Sequence, residues 1–199
     1  MPSIWGTSLE EHRALVLERL LDAFADLVRE RGVEGTTLAA VAERAGLARS
    51  AVYNHVRDKH DLVLAHTERG LKKAAEQLHA SHDTSQTADR RLDHFVRTAF
   101  HSWIAEPGAS ADLVSQLDEA QRIRLFSHLA PMTRMLRGIV EDGIVEGTFR
   151  GAPPDHLAGF VSATLEGYRR SLSDDTDADA DELADVVVSL LLDGLSGPS

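Results

Sequence analysis

The sequence predicts an all-α protein, and three observations carry that expectation. Apolar residues recur at i, i+3 and i+4 over most of the chain. Glycines and prolines punctuate these stretches at helix-like intervals. No segment alternates apolar and polar residues beside a hairpin turn, and no repeat of fixed period is present.

The first helix covers 9–31, where Leu17, Leu20, Leu21, Phe24, Leu27 and Val28 form one apolar stripe. Gly32 ends it at a position that tolerates positive φ. Thr37 is a natural N-cap for a short helix over Leu38–Ala45, although Ala40 at the third position leaves the capping box incomplete. Gly46 breaks the chain, and a second short helix covers Arg49–Val56. Asp58 caps the next helix, with Asp61 adding negative charge in its first turn. That helix runs to about Leu78 and leaves through the polar stretch Ser81–Thr87. Helical patterns follow at about 88–105, 111–127, 130–146, 154–172 and 180–195, with Pro107-Gly108, Pro131, Gly147, Pro153-Pro154 and the acidic stretch 173–181 as the breaks. The division falls inside the long fourth helix, giving one domain over 9–65 and a larger one over 66–195.

Composition narrows the function classes. Hydrophobic content of 43% and charged content of 27% are those of a globular protein. No N-terminal signal pattern is present, and the longest apolar runs fall far short of the roughly 20 residues of a membrane span, so a soluble cytoplasmic protein is expected. The absence of cysteine removes disulfides, thiolate metal sites and thiol chemistry. A nucleophile elbow, a phosphate-binding loop, a dinucleotide fingerprint and a zincin motif are all missing, so an enzyme is not expected and no cofactor is implied. The formal net charge of −11 opposes a polyanionic partner only on average. Residues 1–70 hold nine Lys/Arg against eleven Asp/Glu, whereas the remainder holds twelve against twenty-one. Between Arg44 and His60 four cations (Arg44, Arg49, Arg57, Lys59) meet one anion, Asp58. A basic module can work inside an acidic chain, because counterion release depends on the contacting face.

Two short helices joined through Gly46 match a helix-turn-helix, and neither is long enough to be stable without packing on the first helix. On a helical wheel the second one gathers Ala51, Val52 and Val56 on one side and Arg49, Ser50, Tyr53, Asn54 and Arg57 on the other. A guanidinium, a hydroxyl, a phenol and an amide suit base edges and phosphates. Thr37 and Lys59, each at a helix start, suit phosphates. Any one of these residues alone is explained as well by an ordinary solvated face; the set at this spacing after a glycine turn is not.

The run Gly35-Thr36-Thr37-Leu38-Ala39-Ala40-Val41-Ala42-Glu43-Arg44-Ala45-Gly46-Leu47, then Ser50-Ala51-Val52-Tyr53-Asn54-His55-Val56 and Asp58-Lys59-His60-Asp61-Leu62, resembles the tetracycline-repressor (TetR) family. Arg13, Ala23, Phe24, Leu27 and Gly32-Val33 fit the family's first helix and turn, and Val56 stands where a Phe is frequent. The resemblance covers about residues 9–65. It implies a homodimeric repressor that binds a palindromic double-stranded DNA operator and is released by a small-molecule effector. Carried over by position, Arg49, Ser50 and Asn54 read bases, Tyr53, Lys59 and Thr37 hold phosphates, and His55 either packs or contacts DNA.

For the larger domain the resemblance implies an effector pocket and a dimer contact. Candidate pocket walls are Phe100, Trp103, Ile104, Leu125, Phe126, Met132, Met135, Leu136 and Phe160, with core packing as the competing account. Candidate dimer residues are Leu157, Phe160, Leu165, Tyr168, Val187, Leu190 and Leu191, again against a monomer core. Two further readings stay open. The pattern His79-x-x-His82-Asp83 would make the chain a metal-responsive regulator, and loss of DNA binding would leave a helical interaction protein.

Overall fold

The computed structural model describes residues 8–81, 83–105, 117–172 and 179–196. They form eight helices: α1 (Leu9–Arg31), α2 (Leu38–Arg44), α3 (Arg49–Val52), α4 (Lys59–Ala80), α5 (Ala88–Ala105), α6 (Glu119–Val145), α7 (Pro154–Leu172) and α8 (Ala180–Leu195). No strand occurs among the described residues; one isolated antiparallel bridge joins Phe149 and Ser196. The chain divides into two compact units, the first ending at Thr67 and the second beginning at Glu68, within α4.

In the first unit α1 starts on a complete capping box. Ser8 accepts from the Glu11 N–H at 3.1 Å and Glu11 accepts from the Ser8 N–H at 3.2 Å. The helix buries Val16, Leu20, Leu21, Phe24, Leu27 and Val28, each fully buried Val, Leu or Phe contributing roughly 1.5–3 kcal/mol. Gly32 then takes φ 71° and ψ 169°, a conformation that costs little only for glycine. α2 buries Val41 and Ala42 against this stripe, and Arg19 of α1 donates to the Ala45 carbonyl at 3.0 Å, satisfying one orphan acceptor at the α2 C-terminus. Phe24 and the buried His66 of α4 meet edge to face at 5.3 Å.

The second unit packs α5 against α8, α6 against α7, and α5 against α6. Leu92, Phe95, Val96 and Phe100 interleave with Leu136, Ile139 and Val140, and with Val161, Val187 and Leu191. Arg91 is buried in this unit and reaches Asp142 at 2.7 Å and Glu146 at 3.2 Å. Gly143 lies under the Phe149 ring so closely that an added Cβ would sit 2.1 Å from Cδ2.

Two expectations are corrected. Pro131 does not divide the segment: α6 is continuous from Glu119 to Val145. The ring removes one hydrogen bond and frees the Ser127 carbonyl. Both residues are exposed, so water can replace the lost partner, while Leu125, Leu136, Ile139 and Val140 bury the other face on either side. The predicted stretch before 117 lies outside the described residues. The regular part of α3 ends at Val52 instead of Val56, because the following turn tightens: the Asn54 and His55 N–H groups donate to the Ala51 and Val52 carbonyls at 3.2 and 2.9 Å.

Candidate functional site

The turn before α3 places its polar face outward. Gly46 adopts φ 66°, and Ala48, in extended backbone, precedes Arg49. Val52 and Val56 are buried, at 1% and 3% exposure, and fix the rotation of the segment. Arg49, Ser50, Tyr53 and Asn54 are consequently exposed, and His55 is half-buried. Ala51, expected on the inner side, is half-buried. The structure thus brings together the residues assigned to base reading.

The local charge is smaller than the run from Arg44 to His60 indicates. Arg44 pairs bidentately with Glu30, both contacts at 2.8 Å, and that guanidinium holds the Glu30 carboxyl below its ordinary range. Lys59 donates to the Glu34 carbonyl at 3.3 Å and lies 3.7 Å from its carboxylate. Arg57 lies 3.7 Å from Asp61. Glu30 and Glu34 precede Arg44 in the chain and reach these cations only through the fold. Arg49 is the one of these four cations with no ion-pair or hydrogen-bond partner among the described residues.

The helix starts beside α3 are ordered by caps. Thr37 accepts from the Ala40 N–H at 3.3 Å, which leaves its hydroxyl proton free to donate outward. Asp58 accepts from the Asp61 N–H at 2.8 Å, and Asp61 accepts from the Arg57 N–H at 3.1 Å. Burial lowers the pKa of His55 below its ordinary 6.5, and the charges of Arg13 and His12 lower it further. These α1 residues beside α3 have no signal in the local sequence, since their proximity comes from helix packing. The Ser8 cap went unread although its signal is there: Ser8-x-x-Glu11 ahead of an apolar run is a helix-start pattern.

In the second unit the expected pocket walls are distributed differently. Phe100, Leu125 and Leu136 are buried, and Trp103, Met132 and Met135 are half-buried against the core of that unit. Ile104 (37% exposed), Phe126 (57%) and Phe160 (56%) face solvent. Phe100 packs edge to face with Trp103 at 5.2 Å and with Tyr168 at 6.3 Å. A cavity of about 360 Å³ opens instead among α4, α5 and α6, and Met135 is the expected residue that lines it. Ser81 and His94 form one side of it at 2.6 Å. The Ser81 hydroxyl also reaches the Gln77 carbonyl at 2.7 Å.

Of the expected dimer residues, Leu165, Val187 and Leu191 are consumed by the core of the unit, and Leu157 and Tyr168 pack against it. Phe160 and Leu190 remain exposed, together with Val186. No group of three or more His, Asp or Glu side chains with metal-binding geometry occurs among the described residues; His82 lies outside them.

A trihelical unit with a short helix presenting an arginine, a hydroxyl and an amide after a glycine turn defines a helix-turn-helix DNA-binding regulator. Residues 20–66 match the family described as bacterial regulatory proteins, tetR family. Over 188 residues, 90% of each chain, the protein is 30% identical to the HTH-type transcriptional repressor KstR2 of Rhodococcus jostii (strain RHA1). It is 26% identical over 188 residues to the HTH-type transcriptional repressor AcnR of Corynebacterium diphtheriae, again 90% of each. The fold is similar to that of FadR from Bacillus subtilis in complex with stearoyl-CoA, with a TM-score of 0.70 at 19% identity over 89% of this chain and 98% of that one. The chain belongs to the TetR family of transcription regulators and is not an enzyme.

Proposed function

We propose that this regulator is a repressor that binds a palindromic operator as a homodimer and leaves it when a small-molecule effector binds the second unit. The observation that carries the DNA reading is the exposed, unpaired Arg49 beside Ser50 and Asn54, on a segment whose opposite side is locked by Val52 and Val56. Arg49, Ser50 and Asn54 read bases, while Tyr53 and Thr37 hold phosphates. Lys59 reaches a phosphate by exchanging Glu34 for it, and the half-buried His55 packs under the segment and lies close to a phosphate of the bound operator.

The exposed Phe160, Val186 and Leu190 on α7 and α8 support self-association, because apolar side chains left outside a unit's own core gain from burial against a copy. Two recognition helices in successive major grooves need a separation of about 34–36 Å. The likeness to repressors, and to a fold captured with stearoyl-CoA, supports the effector-released mode. Coupling of this kind amounts to about 1–3 kcal/mol between sites. The expected location is the cytoplasm, where operator DNA is.

Selection of bound duplexes from a random pool tests the proposal. Enrichment of a two-fold symmetric consensus is expected, with a protein mass in solution of twice the chain. An unenriched pool would overturn the DNA reading, and a monomer on its enriched site would overturn the homodimer.

A further inference from the structure

The cavity in the second unit has a volume of about 360 Å³, toward the compact end of small-molecule sites at roughly 300–1,000 Å³. Its floor is apolar, built from Leu78, Phe95, Met135 and Ile139. Its rim is charged, and the charges are not equivalent. Asp83 accepts from the Ser85 N–H and hydroxyl at 2.9 and 2.7 Å and from Gln86 at 3.2 Å. Asp93 holds the Arg97 Nε–H at 3.0 and 3.2 Å. Arg91 is committed to Asp142 and Glu146, and Glu146 also accepts from the Ala88 N–H at 3.0 Å. The carboxylates on and behind the rim are therefore all answered. Two donors remain: the buried Arg91 Nε–H finds no acceptor, and the exposed Arg90 guanidinium makes no hydrogen bond among the described residues, its charge acting on the neighbouring Asp89.

A pocket with a hydrocarbon floor, hydrogen-bonded acids and a guanidinium without a hydrogen-bond partner offers an anion a donor at the rim and an apolar body a floor. We infer that this cavity, instead of the packed aromatic group around Phe100, is the effector site, and that it takes a compact amphipathic carboxylate. The anion pairs with Arg90 at the rim, and the hydrocarbon body covers Phe95, Met135 and Ile139. The inference rests on the reading of the chain as an effector-released regulator, from which it takes the word effector; the ligand class rests on the cavity alone.

Octanoate is a suitable probe, with octan-1-ol and octylamine as neutral and cationic counterparts. Each is titrated calorimetrically into the full-length protein and its Arg90→Gln variant, and release of selected operator DNA is followed separately by fluorescence anisotropy. Octanoate is expected to bind at least roughly tenfold more tightly than either counterpart, as a charge-assisted pair requires. Arg90→Gln should weaken octanoate by a similar factor, leave octan-1-ol unchanged and leave operator affinity without ligand unchanged. Met135→Trp, which fills the floor, should weaken all three probes. Equal binding of octanoate and octan-1-ol, or octanoate binding indifferent to Arg90→Gln, overturns the assignment. If a different molecule releases the operator while octanoate does not bind, the site is wrong and the repressor reading stands. If octanoate binds through Arg90 and the operator stays bound, the cavity is a ligand site and the effector reading falls.

Discussion

The two units of this regulator carry their chemistry in opposite ways. In the first, the groups proposed to read DNA are side chains of diagnostic type on a single short segment, and the packing turns them outward. Val52 and Val56 are buried so that Arg49, Ser50 and Asn54 are not. In the second, the cavity belongs to no segment. Its walls come from three helices, Leu78 of α4, Arg90 and Phe95 of α5, and Met135 and Ile139 of α6, and each is an ordinary helix residue where it stands. A DNA-reading surface must match a polymer whose donors and acceptors are fixed in type and spacing, so its residue types are constrained. A small-molecule cavity is constrained mainly in shape, and many residue combinations give similar shapes.

The largest expected effect tests whether the units are separable. Phe24 is fully buried in the first unit, and Phe24→Ala should cost roughly 3–5 kcal/mol there. Hydrogen exchange read by mass spectrometry should show protection lost over α1 to α3 and retained over α5 to α8. Uniform loss across both sets would show that the contrast between the units is one of chemistry only and not of stability.

Two glycines sharpen the same contrast. Gly143 has space for no side chain, since a Cβ would lie 2.1 Å from the Phe149 ring. Gly143→Ala should destabilise by roughly 1–3 kcal/mol through overpacking. Gly46 has room but a φ of 66°, so Gly46→Ala should cost about 1–2 kcal/mol from backbone strain alone. Denaturant midpoints rank the pair. The functional readouts should rank them oppositely, because Gly46 orients α3 and a shift there weakens operator binding beyond the stability loss.

Next in size is the recognition pair. Arg49→Ala should lose roughly 1–3 kcal/mol of discrimination at one operator position, if the guanidinium forks onto a guanine. Lys59→Ala should weaken operator and random DNA alike and by less, since the lysine must first leave Glu34. Competition binding against shuffled duplexes separates the two, and equal losses of Arg49→Ala on both DNAs would remove the base-reading role.

These residues also mark how far the chain could be read without coordinates. The all-α class, the glycine turn and the outward set around Arg49 were legible, because helix periodicity and turn chemistry act over a few neighbouring residues. The continuity of α6 through Pro131 was not, because what tolerates the proline is the solvent on its side of the helix and the core on the other. The partners of Arg44 and Lys59 were hidden for a related reason: Glu30 reaches Arg44 once α1 and α2 have packed, and Glu34 reaches Lys59 once the turn after α1 meets the start of α4. The cavity lining was the least legible, because the spacing between α4, α5 and α6 is a property of the assembled unit.

The smallest expected effect concerns pH and the half-buried His55. Its pKa lies below 6.5, chiefly because burial disfavours the imidazolium and then because Arg13 and His12 repel it. The unfolded chain therefore binds the proton more readily than the folded one. By linkage, the stability present above pH 6.5 declines as the pH falls below that value, until the folded-state group is itself protonated. His55→Gln should flatten the part of the stability profile just below pH 6.5, read from denaturant midpoints. Bound operator acts in the opposite direction, since a nearby phosphate favours the imidazolium. A titration of His55 by NMR with and without operator should show its pKa rising in the complex. An unchanged value would mean that His55 serves the DNA-reading unit by packing alone, a structural residue inside a surface otherwise built for contact.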